Sequence, residues 1–107
     1  IMPSLVGSEM CIREGIKAWR GIGWCSFISQ KHEQAMKYYE KIIEQKPLAI
    51  DYMNAGHVAW VMGDIQKAAV FYGKAITASG NRERFLEMFH KDEEALLTQG
   101  IREEYIL

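Results

Sequence analysis

The stretch AIDYMNAGHVAWVMGDIQKAAVFYGKAITASG, residues 49–80, decides the fold of this 107-residue chain. Two apolar-periodic segments within it are separated by Gly63-Asp64. Glycine favours the left-handed conformation that ends a helix, and aspartate is a favoured N-cap residue. The stretch therefore predicts a helix, a tight turn and a second helix. The predicted apolar face of the second helix comprises Ile65, Ala68, Ala69, Tyr72, Ala75 and Ile76.

The same pattern occurs 33 residues earlier in the chain. An apolar face with helical spacing lies between residues 35 and 43, and another apolar-periodic segment precedes it. The preceding helices are predicted at roughly residues 10–29 and 48–62, and the turn at Gln30-Lys31 corresponds to Gly63-Asp64. The earlier face comprises Ala35, Met36, Tyr39, Ile42 and Ile43. The matched pairs are Trp19/Tyr52, Gly23/Gly56, Ala35/Ala68, Tyr38/Phe71, Tyr39/Tyr72, Lys41/Lys74 and Ile43/Ile76.

The matched positions are those at which two packed helices need side chains of a particular size. Gly23 and Gly56 are expected to let helix backbones approach closely, with Tyr39 and Tyr72 filling the adjacent space. Pro47 is expected to end the second helix of the first copy, because the residue before a proline disfavours helical geometry. Each copy is therefore predicted to be one antiparallel pair of helices.

These residues resemble the tetratricopeptide repeat pattern, W-x2-L-G followed by A, F/Y, A and P. The first copy matches at Trp19-Arg20-Gly21-Ile22-Gly23, Ala35, Tyr39, Ile42 and Pro47. The second matches at residues 54–60, Gly63-Asp64, Ala68, Phe71-Tyr72 and Lys74-Ala75-Ile76. The departures are Tyr52 for the tryptophan, Ser26 for a large aromatic residue, Gly80 for the closing proline, and a spacing one residue short of the usual 34. The resemblance implies an all-α fold, with antiparallel helix–turn–helix repeats stacked as a short right-handed α-solenoid.

The whole chain, residues 1–107, is predicted to be a single domain of this kind. Residues 1–15 begin the first helix, residues 16–48 and 49–80 are the two repeats, and residues 81–107 form a degenerate third repeat or capping helices. In that last part we expect a helix at about 82–91, a short helix opened by Asp92-Glu93-Glu94 and ended by Gly100, and another helix from residue 101. Both ends suggest a piece of a longer repeat protein.

The composition narrows the class of function. The net charge of −1 indicates neither a nucleic-acid partner nor an anionic membrane surface. No apolar run approaches the roughly 20 residues of a membrane span. Cys11 and Cys25 lie in one predicted helix, about 21 Å apart, so they are not expected to pair. Free thiols favour a reducing compartment, and we expect a cytoplasmic protein.

The resemblance also implies a binding face, because the first helices of successive repeats line a concave groove in this family. The first repeat contributes Lys17, Arg20, Trp24, Phe27 and Ile28, and the second contributes Met53, Asn54, His57, Trp60 and Val61. A groove this apolar and aromatic favours an anchor for a partner's hydrophobic or amphipathic segment. The alternative is that another helix, from flanking sequence or from residues 1–12, covers the same face.

Other chemistries are less favoured. Family members that clamp a C-terminal carboxylate use asparagine where this chain has Trp24 and His57. Glu87-x-x-His90 is a single motif, whereas a di-metal helix bundle needs two such motifs and further carboxylates. Cys25 and Ser26 lie within a predicted helix, outside the usual context of a nucleophile. We therefore predict no enzyme, no cofactor and no small-molecule substrate.

The sequence leaves three functions open. The first is an interaction or scaffold module that binds a protein or peptide partner through the concave face. The second is structural self-association as a homo-oligomer through the same surface. The third is a regulatory domain of a larger multidomain protein, with the apolar face covered by missing repeats.

Overall fold

The computed structural model describes residues 9–92 and 96–97, with side chains from residue 15 onward. The described elements are helices: α1 (Glu9–Ile28), α2 (His32–Gln45), α3 (Ala49–Val61), α4 (Ile65–Ser79) and α5 (Arg82–Lys91). Their bounds lie close to the predicted ranges 10–29, 48–62 and 82–91. The predicted all-α, helical-repeat fold is confirmed.

The helices pack as two hairpins. α1 lies against α2, and α3 lies against α4, while α2 contacts α3 to join the hairpins. α1 also contacts α3, and α5 contacts both α3 and α4. The first helices of successive units are therefore neighbours, which is the arrangement that produces a shared face.

The two hairpin turns adopt the same conformation with different residues. Gly63 has φ 88°, and Gln30, its counterpart in the first repeat, has φ 64°. After Gly63, the Asp64 carboxylate accepts a hydrogen bond of 3.1 Å from the Lys67 backbone N–H. Lys31 makes no side-chain cap at the start of α2. The first turn thus keeps the geometry without the glycine and the N-cap that favour it.

Two glycines face two tyrosine rings at the helix crossings. A Cβ added to Gly23 would lie 3.1 Å from the Tyr39 ring, and one added to Gly56 would lie 2.8 Å from the Tyr72 ring. These spacings confirm the predicted close approach in both hairpins. A side chain at either position would occupy the space that the ring fills.

A cation–π pair is repeated in the same register. The Lys41 Nζ atom lies 5.5 Å from the centroid of the Trp19 ring, and the Lys74 Nζ atom lies 5.9 Å from that of the Tyr52 ring. Both are within the distance at which an aromatic face attracts a cation. This contact gives the matches Trp19/Tyr52 and Lys41/Lys74 a physical basis.

The predicted apolar face of α2 agrees with the structure, and that of α4 agrees in part. Ala35, Met36, Tyr39 and Ile42 are buried in α2. In α4, the predicted residues Ala68, Tyr72 and Ala75 are buried. Ile65 and Ala69 are exposed, and Phe71, which the prediction omitted, is buried. The four buried residues of α4 have the i, i+3, i+4, i+7 spacing of one helix face.

The helix predicted at about residues 82–91 is present as α5. The Asn81 side chain caps α5 by accepting a hydrogen bond of 2.8 Å from the Arg84 backbone N–H. Phe85, Phe89 and Leu96 are buried with the core of the repeats. The helix end predicted at Gly100 and the helix predicted from residue 101 lie outside the described residues. Within the described ranges, no helix is long and apolar enough to cross a membrane.

Candidate protein-binding surface

The predicted groove residues all lie on α1 and α3, the first helices of the two repeats. Lys17 and Ile28 are exposed, and Arg20, Trp24, Trp60 and Val61 are half-buried. Asn54 is nearly buried, whereas Phe27, Met53 and His57 have no exposed surface. The face is therefore divided into a closed part and an open part.

Arg20 is held by a carboxylate that the sequence-based prediction missed. The Arg20 Nε and Nη2 atoms each donate a hydrogen bond of 2.7 Å to Asp51, one to each carboxylate oxygen. The carboxylate also accepts a bond of 2.7 Å from the Leu48 backbone N–H, which ties down the first turn of α3. The hydrogen bond to Asp51 raises the pKa of Arg20 above its ordinary value.

This ion pair joins the two repeats. The Asp51 side chain has no exposed surface, and that of Arg20 retains 30%. A buried carboxylate needs a partner and well-formed hydrogen bonds, because desolvation of an unpaired charge costs several kcal/mol. Arg20 therefore has a structural role, which limits its use as a donor to a partner protein.

His57 lies at the centre of an aromatic cluster contributed by four helices. Its ring centroid is 5.3 Å from those of Tyr72 and Phe89, and 6.4 Å from that of Phe27. A hydrogen bond of 2.6 Å joins the His57 Nδ1 atom to the Tyr72 hydroxyl. Burial lowers the pKa of His57 to about 3, so the imidazole is neutral at physiological pH and helps to hold the repeats together.

Two further polar groups, the Tyr39 hydroxyl and the Asn54 side chain, are buried next to the face. Burial raises the pKa of the Tyr39 hydroxyl, and the negative charge of Asp51 raises it further. The Asn54 side chain lies close to this hydroxyl and opposes the shift, although no well-formed hydrogen bond joins them. The negative charge of Asp92, at the end of α5, also acts on Tyr39. The end of α5 is therefore close to the region between the repeats.

α5 closes part of the predicted groove. Phe89 contacts His57 on α3, and Phe85 contacts Tyr72 on α4 at a centroid distance of 5.9 Å. One of the two alternatives drawn from the sequence was a covering helix from flanking sequence or residues 1–12. That alternative stays a prediction, because residues 1–8 lie outside the described residues. Within the described residues, α5 packs on His57 through Phe89.

The open part of the face comprises Lys17, Trp24 and Trp60, with Arg20 beside them. The rings of Trp24 and Phe27 are 5.4 Å apart, so a buried neighbour supports the half-buried tryptophan from below. Rigid aromatic side chains with one accessible side are well suited to contact another protein.

Two polar side chains of the face are paired inside the protein, whereas the Asn54 Oδ1 and His57 Nε2 atoms are buried without a hydrogen-bond partner among the described residues. Arg20 is paired with Asp51, and His57 is paired with Tyr72. In the part of the chain that the structure describes, no group of three or more His, Cys, Asp or Glu side chains is placed to hold a metal ion. The signal for the missed ion pair was present in the sequence, since Asp51 lies close to one repeat length after Arg20.

Stacked helical hairpins with a face made by their first helices define an α-helical repeat protein. The Tetratricopeptide repeat family model matches residues 16–47 and 52–82, which is more than half of the chain. The chain therefore belongs to the tetratricopeptide repeat family. Neither a curated protein nor a solved structure matches the chain significantly.

Proposed function

We propose that the chain is an interaction module that binds a segment of another protein on the open part of the face formed by α1 and α3. Members of the tetratricopeptide repeat family generally mediate protein–protein interactions and are typically non-enzymatic. The observation that supports this surface is that Trp24 on α1 and Trp60 on α3 are only half-buried, while Lys17 on α1 is exposed.

The energetics favour these tryptophans as contact residues. The helices beneath them are held by the Arg20–Asp51 ion pair and by the His57 cluster, so little ordering is needed when a partner binds. Tryptophan is enriched among interface residues whose truncation costs about 2 kcal/mol or more. Trp24 and Trp60 are therefore expected to contribute most of the affinity.

The test uses an interacting protein that is first identified by affinity capture with the full chain. Trp24→Ala and Trp60→Ala should each weaken binding of that protein at least tenfold, while helicity measured by circular dichroism is retained. Val70→Ala is the matched control, because Val70 is an apolar side chain on α4 that is 54% exposed. If both tryptophan variants bind as the wild type does, the proposed face is wrong.

Self-association is the second candidate. Large apolar side chains outside the face are also exposed, among them Ile22 at 39% and Val70 at 54%. A second copy of the chain would remove them from water. Sedimentation velocity separates the two candidates, because a monomer that persists at high protein concentration counts against self-association.

A further inference from the structure

An apolar strip with basic edges lies at the first turn of α3. We call it the Leu48 strip, with Ile16, Leu48, Ile50 and Met88 as its apolar residues. Leu48 lines two cavities, one of about 260 Å³ beside α1 and one of about 380 Å³ beside the end of α5. Leu48 is 56% exposed and Ile50 is 38% exposed. Leu48 and Ile50 therefore leave apolar surface open to water beside both cavities.

Basic side chains dominate the edges of the strip. Lys17, Arg20 and Lys46 line the smaller cavity, and Lys91 lines the larger one. Asp92 is the acidic residue among those lining the two cavities. The Asp51 carboxylate is paired with Arg20, so these two charges offset each other. Among the other described residues that line the two cavities, Lys17, Lys46 and Lys91 are basic, and together they outnumber Asp92.

We propose that the Leu48 strip binds a protein segment in which a bulky apolar side chain is flanked by aspartate or glutamate. The apolar side chain enters a cavity beside Leu48, and the flanking carboxylates approach Lys17 and Lys91. Charge complementarity of this kind selects partners and accelerates association. This inference rests on the proposed function, because Lys17 and Arg20 belong to the same face.

The apolar component favours a protein segment over a nucleic acid. A phosphate backbone is attracted by lysine and arginine alone, and its binding does not require an exposed leucine. In the strip, the cations surround apolar side chains from α1, the start of α3 and α5. The acidic segment and the apolar side chain are therefore recognised together.

The test measures fluorescence anisotropy of a labelled peptide, Asp-Glu-Leu-Glu-Asp, with the full chain. Two further peptides replace either the acidic residues by their amides or the leucine by serine. Lys17→Glu and Leu48→Ser are the test variants, and serine is a favoured N-cap residue at position 48, so α3 is retained. Lys37→Glu and Val70→Ser are matched controls, since both positions are exposed and neither lines the two cavities.

The acidic leucine peptide should bind the wild type, and each test variant should weaken it at least tenfold while the controls leave binding unchanged. Both replacement peptides should also bind at least tenfold more weakly. Equal binding of the amide peptide, an unchanged affinity for Lys17→Glu, or no binding by the wild type overturns the inference. If circular dichroism shows that Lys17→Glu is unfolded, Lys17→Gln replaces it, with a loss of at least threefold expected.

Two outcomes separate this inference from the proposed function. In the first, peptide binding is lost with Trp24→Ala or Trp60→Ala, but neither the charge of the peptide nor Leu48→Ser changes the affinity. The peptide then binds on the open part of the face and not on the Leu48 strip. If an oligonucleotide of single-stranded DNA binds in a manner that needs Lys17 but not Leu48, the strip is an anion site and the peptide assignment is wrong.

Discussion

The substitution Gly56→Ala tests whether the repeats depend on close contact between a glycine and a tyrosine ring. The added Cβ would lie 2.8 Å from two carbons of the Tyr72 ring. That ring has little freedom to move, because its hydroxyl is hydrogen-bonded to His57 and its face contacts Phe85. The contact is shorter than atoms in a packed core tolerate, so α3 and α4 must separate or the ring must leave its rotamer.

The expected loss follows from two opposing effects. Overpacking of a core costs about 1–3 kcal/mol, and the helix propensity of alanine over glycine returns about 1 kcal/mol. For Gly56→Ala we expect a net loss of up to about 2 kcal/mol in the free energy of unfolding. Gly73→Ala in α4 has no heavy atom within 4 Å of the new Cβ, so a gain of about 0.5–1 kcal/mol is expected. Gly23→Ala, with its contact at 3.1 Å, should fall between them.

Urea unfolding followed by far-UV circular dichroism measures these differences. The Gly56→Ala and Gly73→Ala variants should differ by about 1–3 kcal/mol, the cost of overpacking, with equal denaturant slopes. Both substitutions replace a glycine within a helix, so propensity is the same in each and only the packing differs. If Gly56→Ala stabilises the chain as much as Gly73→Ala does, the proposed close packing of α3 on α4 is wrong.

Three further substitutions test other parts of the structure. Arg20→Met leaves the buried Asp51 carboxylate without its cation and should lower the free energy of unfolding, measured in urea, by about 2–3 kcal/mol. The loss is smaller than for a fully buried pair because Arg20 is partly exposed. A loss near zero would contradict the role of this pair in joining the repeats. Burial lowers the pKa of His57 from 6.5 to about 3, so below pH 6.5 the unfolded chain takes up a proton that the folded chain does not. The wild type should therefore lose up to about 1.4 kcal/mol more stability per pH unit between these values than His57→Phe does, and parallel pH profiles would contradict the burial. The double substitution Gln30→Gly/Lys31→Asp copies the second turn into the first and should raise the free energy of unfolding by about 1–2 kcal/mol; a loss of stability would show that the two turns are not equivalent.

Much of the fold follows from the sequence because its determinants are local. Gly63-Asp64 specifies a turn through the conformational freedom of glycine and the side-chain oxygen of aspartate. The glycine–tyrosine pairs were visible because the register of 33 residues places equivalent contacts at equivalent positions. The backbone of the repeats could therefore be predicted from periodicity and turn chemistry alone.

Which residues of the binding face are buried depends on contacts between residues that are distant in sequence. His57 is buried because Phe27, Tyr72 and Phe89 converge on it from three other helices. The position of α5 over α3 cannot be derived from the pattern of either helix. The family pattern identified which residues belong to the first helices, and contacts such as that between His57 and Phe89 of α5 decide which of them reach the surface.

The predicted face of α4 was displaced by a small rotation about the helix axis. The buried residues Ala68, Phe71, Tyr72 and Ala75 have the spacing of one face. The prediction extended this face to Ile65 and Ala69, which are exposed, and omitted Phe71. Ala69 and Phe71 lie on opposite edges of the buried stripe, and the apolar pattern of the sequence does not distinguish between these two edges.

The most direct measurement of the central claim uses the three tryptophan indole N–H signals in a ¹⁵N NMR titration with the interacting protein identified by capture. All three tryptophans are half-buried against the core, but Trp24 and Trp60 belong to the open part of the face, whereas the ring of Trp19 has Lys41 of α2 over it. The signals of Trp24 and Trp60 should shift or broaden, and that of Trp19 should remain in place. A partner that moves the Trp19 signal and leaves the other two unchanged would contradict binding on this face.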